Sequence, residues 1–83
     1  MPESAELILY VRKDCHLCSE MISDLNKLQA KLCFYLELVD VDSNLSLVEK
    51  HGEFVPVLMG KNEEICHFHL DPKALDAYLA KIR

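Results

Sequence analysis

Leu7-Ile8-Leu9-Tyr10-Val11-Arg12-Lys13-Asp14-Cys15-His16-Leu17-Cys18 decides the reading of this chain. An apolar run of strand length ends in a charged turn, and a Cys-x-x-Cys follows at once. Downstream, Cys18, Met21, Ile22, Leu25, Leu28, Gln29 and Leu32 recur at helical spacing and share one stripe. The first cysteine therefore stands between a strand and the opening turn of a helix. The free N–H groups of that turn carry partial positive charge and favour an anion. A thiolate is such an anion, and it is the species that attacks disulfides. Two cysteines three apart, one at the helix mouth and one a turn inside, can close a small disulfide and open it again.

The rest of the chain builds outward from this unit. Met1 to Glu6 reads as a short loose lead-in, and Leu7 to Val11 as the first strand. That strand is apolar on both faces, as an inner strand of a parallel pair must be. The first helix runs from Cys15 or His16 to Lys31. Phe34 to Val41 is the second strand, with Leu36, Leu38 and Val39 facing in. A strand, a helix and a strand at this spacing make a right-handed crossover with parallel strands. Asp42-Ser43-Asn44 offers capping oxygens for a short helix through Leu45, Leu47, Val48 and His51, which Gly52 ends in a left-handed position.

Glu53 to Gly60 is strand-like, and Pro56 within it must sit at the strand's first position or on an edge. Gly60-Lys61-Asn62-Glu63 is a hairpin turn by composition, and Glu64 to Phe68 returns as the last strand. Asp71 and Pro72 supply an N-cap and an N1 proline for a final helix. Its buried stripe is Leu75, Tyr78, Leu79 and Ile82, with Lys81 and Arg83 at its negative end. The order is β-α-β-(α)-β-β-α. It predicts an α/β fold in one domain, 1–83, with a small mixed sheet flanked by helices.

Composition bounds the function. The formal net charge of the 83 residues is -5, and no basic run exists beyond Arg12-Lys13 and the Lys81/Arg83 end. Nucleic acid is an unsuitable partner for such a surface. No apolar stretch is long enough to span a bilayer, so no membrane role is expected. Met1 to Glu6 has neither a basic region nor a long apolar one, so no signal peptide is read there. A cytoplasmic monomer is the expectation, and in that compartment Cys-x-x-Cys is redox or metal-binding rather than structural.

The order of elements, Cys15-x-x-Cys18 after the first strand and Val55-Pro56 opening the third resemble the thioredoxin superfamily. Within it the match is to small glutaredoxin-like proteins, over nearly the whole chain. The resemblance implies a thioredoxin-like fold with a four-stranded mixed sheet flanked by helices. It also implies a cis Val55–Pro56 peptide bond set against the redox cysteines, and thiol-disulfide oxidoreductase chemistry. Two stretches depart from the family pattern. His16-Leu17 stands where glutaredoxins carry Pro-Tyr. Cys66-His67-Phe68-His69 stands where they carry Gly-Gly and then Asp, which bind glutathione.

Roles follow from position. Cys15 is the nucleophile, nearest the helix dipole, and Cys18, in the apolar stripe, is the resolving thiol. Arg12 and Lys13 lie within reach of the developing charge and stand as substrate-binding residues. His16, when protonated, would stabilise the thiolate. Asp14 reads as the helix cap. Val55 and Pro56 supply a groove in which an extended thiol peptide adds as a strand. Cys66, His67 and His69 are the odd feature. Residues 66 and 68 of a regular strand face one way, and 65, 67 and 69 the other.

A zinc set from Cys15, Cys18 and one or two of these has suitable ligand types. A half-buried strand end with surface histidines is preferred, and no metal is expected. Cys33 reads as a packed small hydrophobe, Tyr10, Tyr35 and Tyr78 as packing residues, and His51 as a helix-end residue. The expected activity is dithiol exchange through Cys15-His16-Leu17-Cys18 with protein or low-molecular-weight disulfides. It needs no cofactor, and glutathione is a candidate co-substrate. The alternative is a non-enzymatic metal-, cluster- or partner-binding module on the same fold.

Overall fold

The computed structural model describes residues 5–82. The first four residues of the expected lead-in and Arg83 lie outside the described residues. Four strands and three helices follow in the order β1 (Ala5–Val11), α1 (His16–Gln29), β2 (Phe34–Asp40), α2 (Leu45–His51), β3 (Val57–Met59), β4 (Glu64–His67) and α3 (Pro72–Lys81). A 3-10 turn, Val41–Ser43, joins β2 to α2. The sheet order is β2-β1-β3-β4. β1 and β2 are parallel over their whole length, from Ala5 opposite Phe34 to Val11 opposite Asp40. β3 runs antiparallel to both β1 and β4. This is the thioredoxin-like arrangement that the resemblance implied.

One face of the sheet carries the main core. Leu7, Leu9 and Leu58 project from it and meet Met21 and Leu25 of α1 and Leu75, Tyr78 and Leu79 of α3. Burying each such aliphatic side chain contributes about 1.5–3 kcal/mol, and this face holds most of them. Tyr78 is held by more than burial. Its hydroxyl accepts the Lys61 N–H at 2.6 Å, which ties α3 to the β3–β4 hairpin. Helix ends are capped as their residues dictate. Asn44 accepts from the Ser46 N–H, and Asp71 from the Ala74 N–H with Pro72 in the first turn.

The opposite face is covered in part. Val57 and the turn residue Val41 are fully buried, and Tyr10 stacks on His51 of α2 with ring centroids 4.5 Å apart. Several expectations are corrected for this reason. Ala5 and Glu6 belong to β1, not to a lead-in. The second face of β1 is not apolar throughout: Glu6 is exposed, and Ile8 and Tyr10 are half-buried.

β2 is an edge strand, so Leu38 is 50% exposed, Tyr35 points largely to solvent and only Phe34 is fully buried. Val41 leaves the strand and buries itself in the 3-10 turn. α1 stops at Gln29, short of Lys31. Gln29 is exposed and donates its side-chain amide to the Phe34 carbonyl at 3.2 Å. Cys33 is exposed rather than packed. Gly52 closes α2 with φ −53°, a right-handed conformation, not a left-handed one. Ile82 caps α3 and is exposed.

Candidate active site

β1 delivers the chain to the site and a strained turn redirects it. Asp14 takes φ 57°, a left-handed conformation that short polar side chains tolerate. It is not the cap. Cys15 is: its backbone is extended, and its Sγ accepts the Cys18 N–H at 3.1 Å. The sulfur thus sits where the helix presents unpaired N–H groups. No carboxylate occupies the first turn of α1 to compete with it. Cys15 and Cys18 lie at disulfide distance with Cα atoms 5.1 Å apart, within the range a disulfide spans. Cys15 is half-buried and Cys18 buried, facing the core stripe.

A hollow of about 510 Å³ opens beside this pair, lined by Arg12, Asp14, Cys15, His16, Cys18 and Ile22 among others. The structure therefore brings Arg12, His16 and both cysteines together. His16 is exposed, with its ring 3.8 Å from the Glu20 carboxylate one turn on. Arg12 has its own partners. It donates from Nη2 and Nε to the Asp42 carboxylate at 2.8 and 3.2 Å, and from Nη1 to the Gly52 carbonyl at 3.2 Å. The hydrogen bond from Arg12 holds the Asp42 carboxyl below its ordinary range, and the Lys13 charge adds to that effect. Lys13 itself is exposed and does not line the hollow.

Arg12 thus fastens the end of β1 to the segment that leads into Val55 and Pro56. The β1–β3 register, extended by one residue beyond Tyr10 and Val57, sets Pro56 across from Val11, at the cysteine end of the sheet. The Val55–Pro56 peptide bond is cis. Pro56 is buried, and its carbonyl accepts the Phe68 N–H at 3.0 Å. Val55 is half-buried, and its backbone has no hydrogen-bond partner among the described residues.

The end of β4 differs from a regular strand. Cys66 pairs with Leu58 and turns into the core, where burial pushes its thiol pKa up. The strand stops at His67, and Phe68 takes φ 64°. Phe68 therefore leaves the face it would share with Cys66. Among the described residues no three His, Cys, Asp or Glu side chains group as a metal set. Two residues missed in the sequence lie here, Phe54 and Phe68, both exposed aromatics. Their signal was only apolarity next to Val55-Pro56 and next to His67, and apolarity alone reads as core.

Comparison with known proteins agrees with this geometry. The family model described as Glutaredoxin-like domain (DUF836) matches residues 6–80. The solution structure of protein Ne2328 from Nitrosomonas europaea is similar at 41% identity and TM-score 0.85, with 94% of each chain covered. The X-ray structure of protein XcR50 from X. campestris is similar at 33% identity and TM-score 0.67, covering 90% of this chain and 96% of that one. Thioredoxin-2, described as a component of the malaria parasite protein secretion machinery, is similar at 25% identity and TM-score 0.63, covering 98% and 85%. No curated protein matches the chain. No helix among the described residues is long and apolar enough to cross a membrane. A paired Cys-x-x-Cys within such a domain supports a redox role of the thioredoxin-like kind.

Proposed function

The chain belongs to the glutaredoxin-like domain family, and on that footing we propose that it is a thiol-disulfide oxidoreductase working by dithiol exchange through Cys15 and Cys18. One observation carries the reading: the Cys15 sulfur caps α1 and takes a backbone N–H, while Cys18 waits buried behind it. The same N–H and the helix dipole stabilise the thiolate once the disulfide is opened.

The cycle balances as follows. The Cys15 thiolate attacks one sulfur of a substrate disulfide, forming a mixed disulfide and releasing one substrate thiolate. Cys18, losing its proton, attacks the Cys15 sulfur and releases the second. The substrate gains two electrons, and the protein is left as the Cys15–Cys18 disulfide. An external thiol, as in the reducing cytoplasm, then returns it to the dithiol. The substrates are protein or low-molecular-weight disulfides, with glutathione a candidate co-substrate. Val55 supports this: a backbone without partners among the described residues, beside Pro56, is suited to pair with an extended segment carrying the disulfide.

The test is a trapping experiment. Cys18→Ser, given a disulfide substrate, accumulates the Cys15 mixed disulfide, seen as an added mass. Cys15→Ser abolishes dithiol-dependent reduction. Full reductase activity in Cys15→Ser would overturn the assignment.

A further inference from the structure

A second surface adjoins the cysteines, on the side of α1 where β4 ends. A groove of about 240 Å³ is lined by Leu17, Glu20, Met21 and Asp24 of α1 and by Phe68, His69 and Leu70. Leu17, which follows His16 between the two cysteines in the chain, is the lining residue nearest the redox pair in sequence, whereas Cys15 and Cys18 themselves line the first hollow. Its rim is aromatic. Phe54, three-dimensionally next to Phe68, has its ring centroid 6.2 Å from the Phe68 ring and 5.7 Å from the His67 ring. His67 meets Phe68 edge-on at 4.7 Å. The Glu64 carboxylate holds the His67 Nδ1 at 2.7 Å and so fixes the imidazole in this cluster.

Phe54 and Phe68 are 44% and 39% exposed, which is unusual for side chains in mutual contact at the mouth of a site. Phe68 also occupies φ 64°, a conformation that a bulky side chain rarely adopts. The carboxylates that line the groove are Glu20 and Asp24, with His69 beside them and His16 3.8 Å from Glu20. Asp14 and Lys13, in the turn before Cys15, lie outside its lining. Arg12 is held by Asp42.

We infer that this groove is a docking site for a polypeptide disulfide whose cysteine is flanked by an apolar side chain and a cationic one. The apolar side chain lies on the Phe54–His67–Phe68 cluster, and the cation faces Glu20 and Asp24. Charge complementarity selects this occupant: glutathione disulfide, with four carboxylates against two ammonium groups, brings net negative charge to a groove lined by two carboxylates, whereas a basic segment brings the opposite sign. The inference rests on the oxidoreductase reading for its chemistry but not for its recognition.

The experiment uses the reduced full chain and three disulfides. One is a short peptide disulfide flanked by Phe and Lys, one is the same peptide flanked by Glu, and one is glutathione disulfide. The Phe/Lys peptide is expected to be reduced with a kcat/KM about tenfold above either of the others, an aromatic contact and a charge pair being worth that ratio. Phe54→Ser and Phe68→Gly each bring the ratio to about threefold or less through KM, with the alkylation rate of Cys15 unchanged. Asp24→Lys, on an exposed helix turn, narrows the gap between the Lys and Glu peptides without touching the aromatic rim. Equal rates for the three disulfides, or a preference that survives all three substitutions, would refute the inference.

A redox-inert peptide with Ser in place of Cys separates this inference from the proposed activity. If no disulfide is reduced but the Phe/Lys version binds and the Glu version does not, the docking site stands and the enzyme reading falls. If neither inert peptide binds and no disulfide is reduced, both fall.

Discussion

Replacing Gly60 with alanine tests how tightly α3 is locked to the sheet. Gly60 opens the β3–β4 hairpin, its N–H donating to the Glu63 carbonyl at 2.8 Å. Its φ is not positive, so the backbone itself tolerates a side chain. On that ground alone alanine would stabilise the chain by about 0.4–1 kcal/mol, by restricting the unfolded state. The tertiary contact reverses the sign. A Cβ built on Gly60 falls within the ring of Tyr78. That ring cannot swing away freely: it is buried, and its hydroxyl holds the Lys61 N–H.

Overpacking of this kind costs about 1–3 kcal/mol. The net expectation is a loss of about 1–2 kcal/mol, or a fall in Tm of roughly 4–16 °C for a domain of this size. The assay is thermal and urea unfolding of a double-mutant cycle with Tyr78→Leu. Removing the ring lets the alanine fit, so in that background only the gain of about 0.4–1 kcal/mol remains, and the coupling equals the overpacking term of about 1–3 kcal/mol. A Gly60→Ala protein as stable as the parent, or the same cost with and without the Tyr78 ring, would refute the reasoning.

Further outcomes are expected. The Asp42 carboxyl has a folded pKa below its ordinary 3.8, set first by the hydrogen bond from Arg12. Its contribution to stability is therefore complete above that value and fades as pH falls through the lower folded one. Urea midpoints of the parent and Asp42→Asn should differ near neutrality and converge in strong acid; a gap that persists there would count against the Arg12–Asp42 pairing. In alkylation of the native protein, Cys33 should react promptly, whereas Cys66, buried and with its pKa raised above 9.0, should wait for an opening of the fold. Equal labelling rates would contradict that burial. Asp71→Ala removes the acceptor of the Ala74 N–H and should cost about 1 kcal/mol in unfolding free energy, with no change in Cys15 alkylation.

Much of the fold was legible because local rules and packing agree along most of the chain. The helical stripe from Cys18 to Leu28, the Asp71-Pro72 start of α3 and the crossover order each follow from spacing or capping chemistry that no distant residue alters. The redox pair was legible for the same reason: Cys-x-x-Cys after a strand places one sulfur at the helix mouth by geometry alone. The errors fall where a distant partner decides. Leu38 and Tyr35 look like core residues until β2 proves to be an edge. Asp14 is a good cap by type, yet the turn needed a left-handed residue there, and the cap fell to Cys15.

What the amino-acid order determined by itself was the set of elements, their sequence along the chain and the thiol pair at the start of α1, since these rest on contacts between near neighbours. Only the tertiary structure decided what surrounds that pair. It gave Arg12 to Asp42 and Gly52, turned Cys66 inward, and brought Phe54 to Phe68 across fourteen positions of chain. The physical reason is that hydrogen-bond partners and exposed aromatic clusters are chosen by proximity in space. Side-chain type alone does not reveal whether an arginine is free or a phenylalanine is buried.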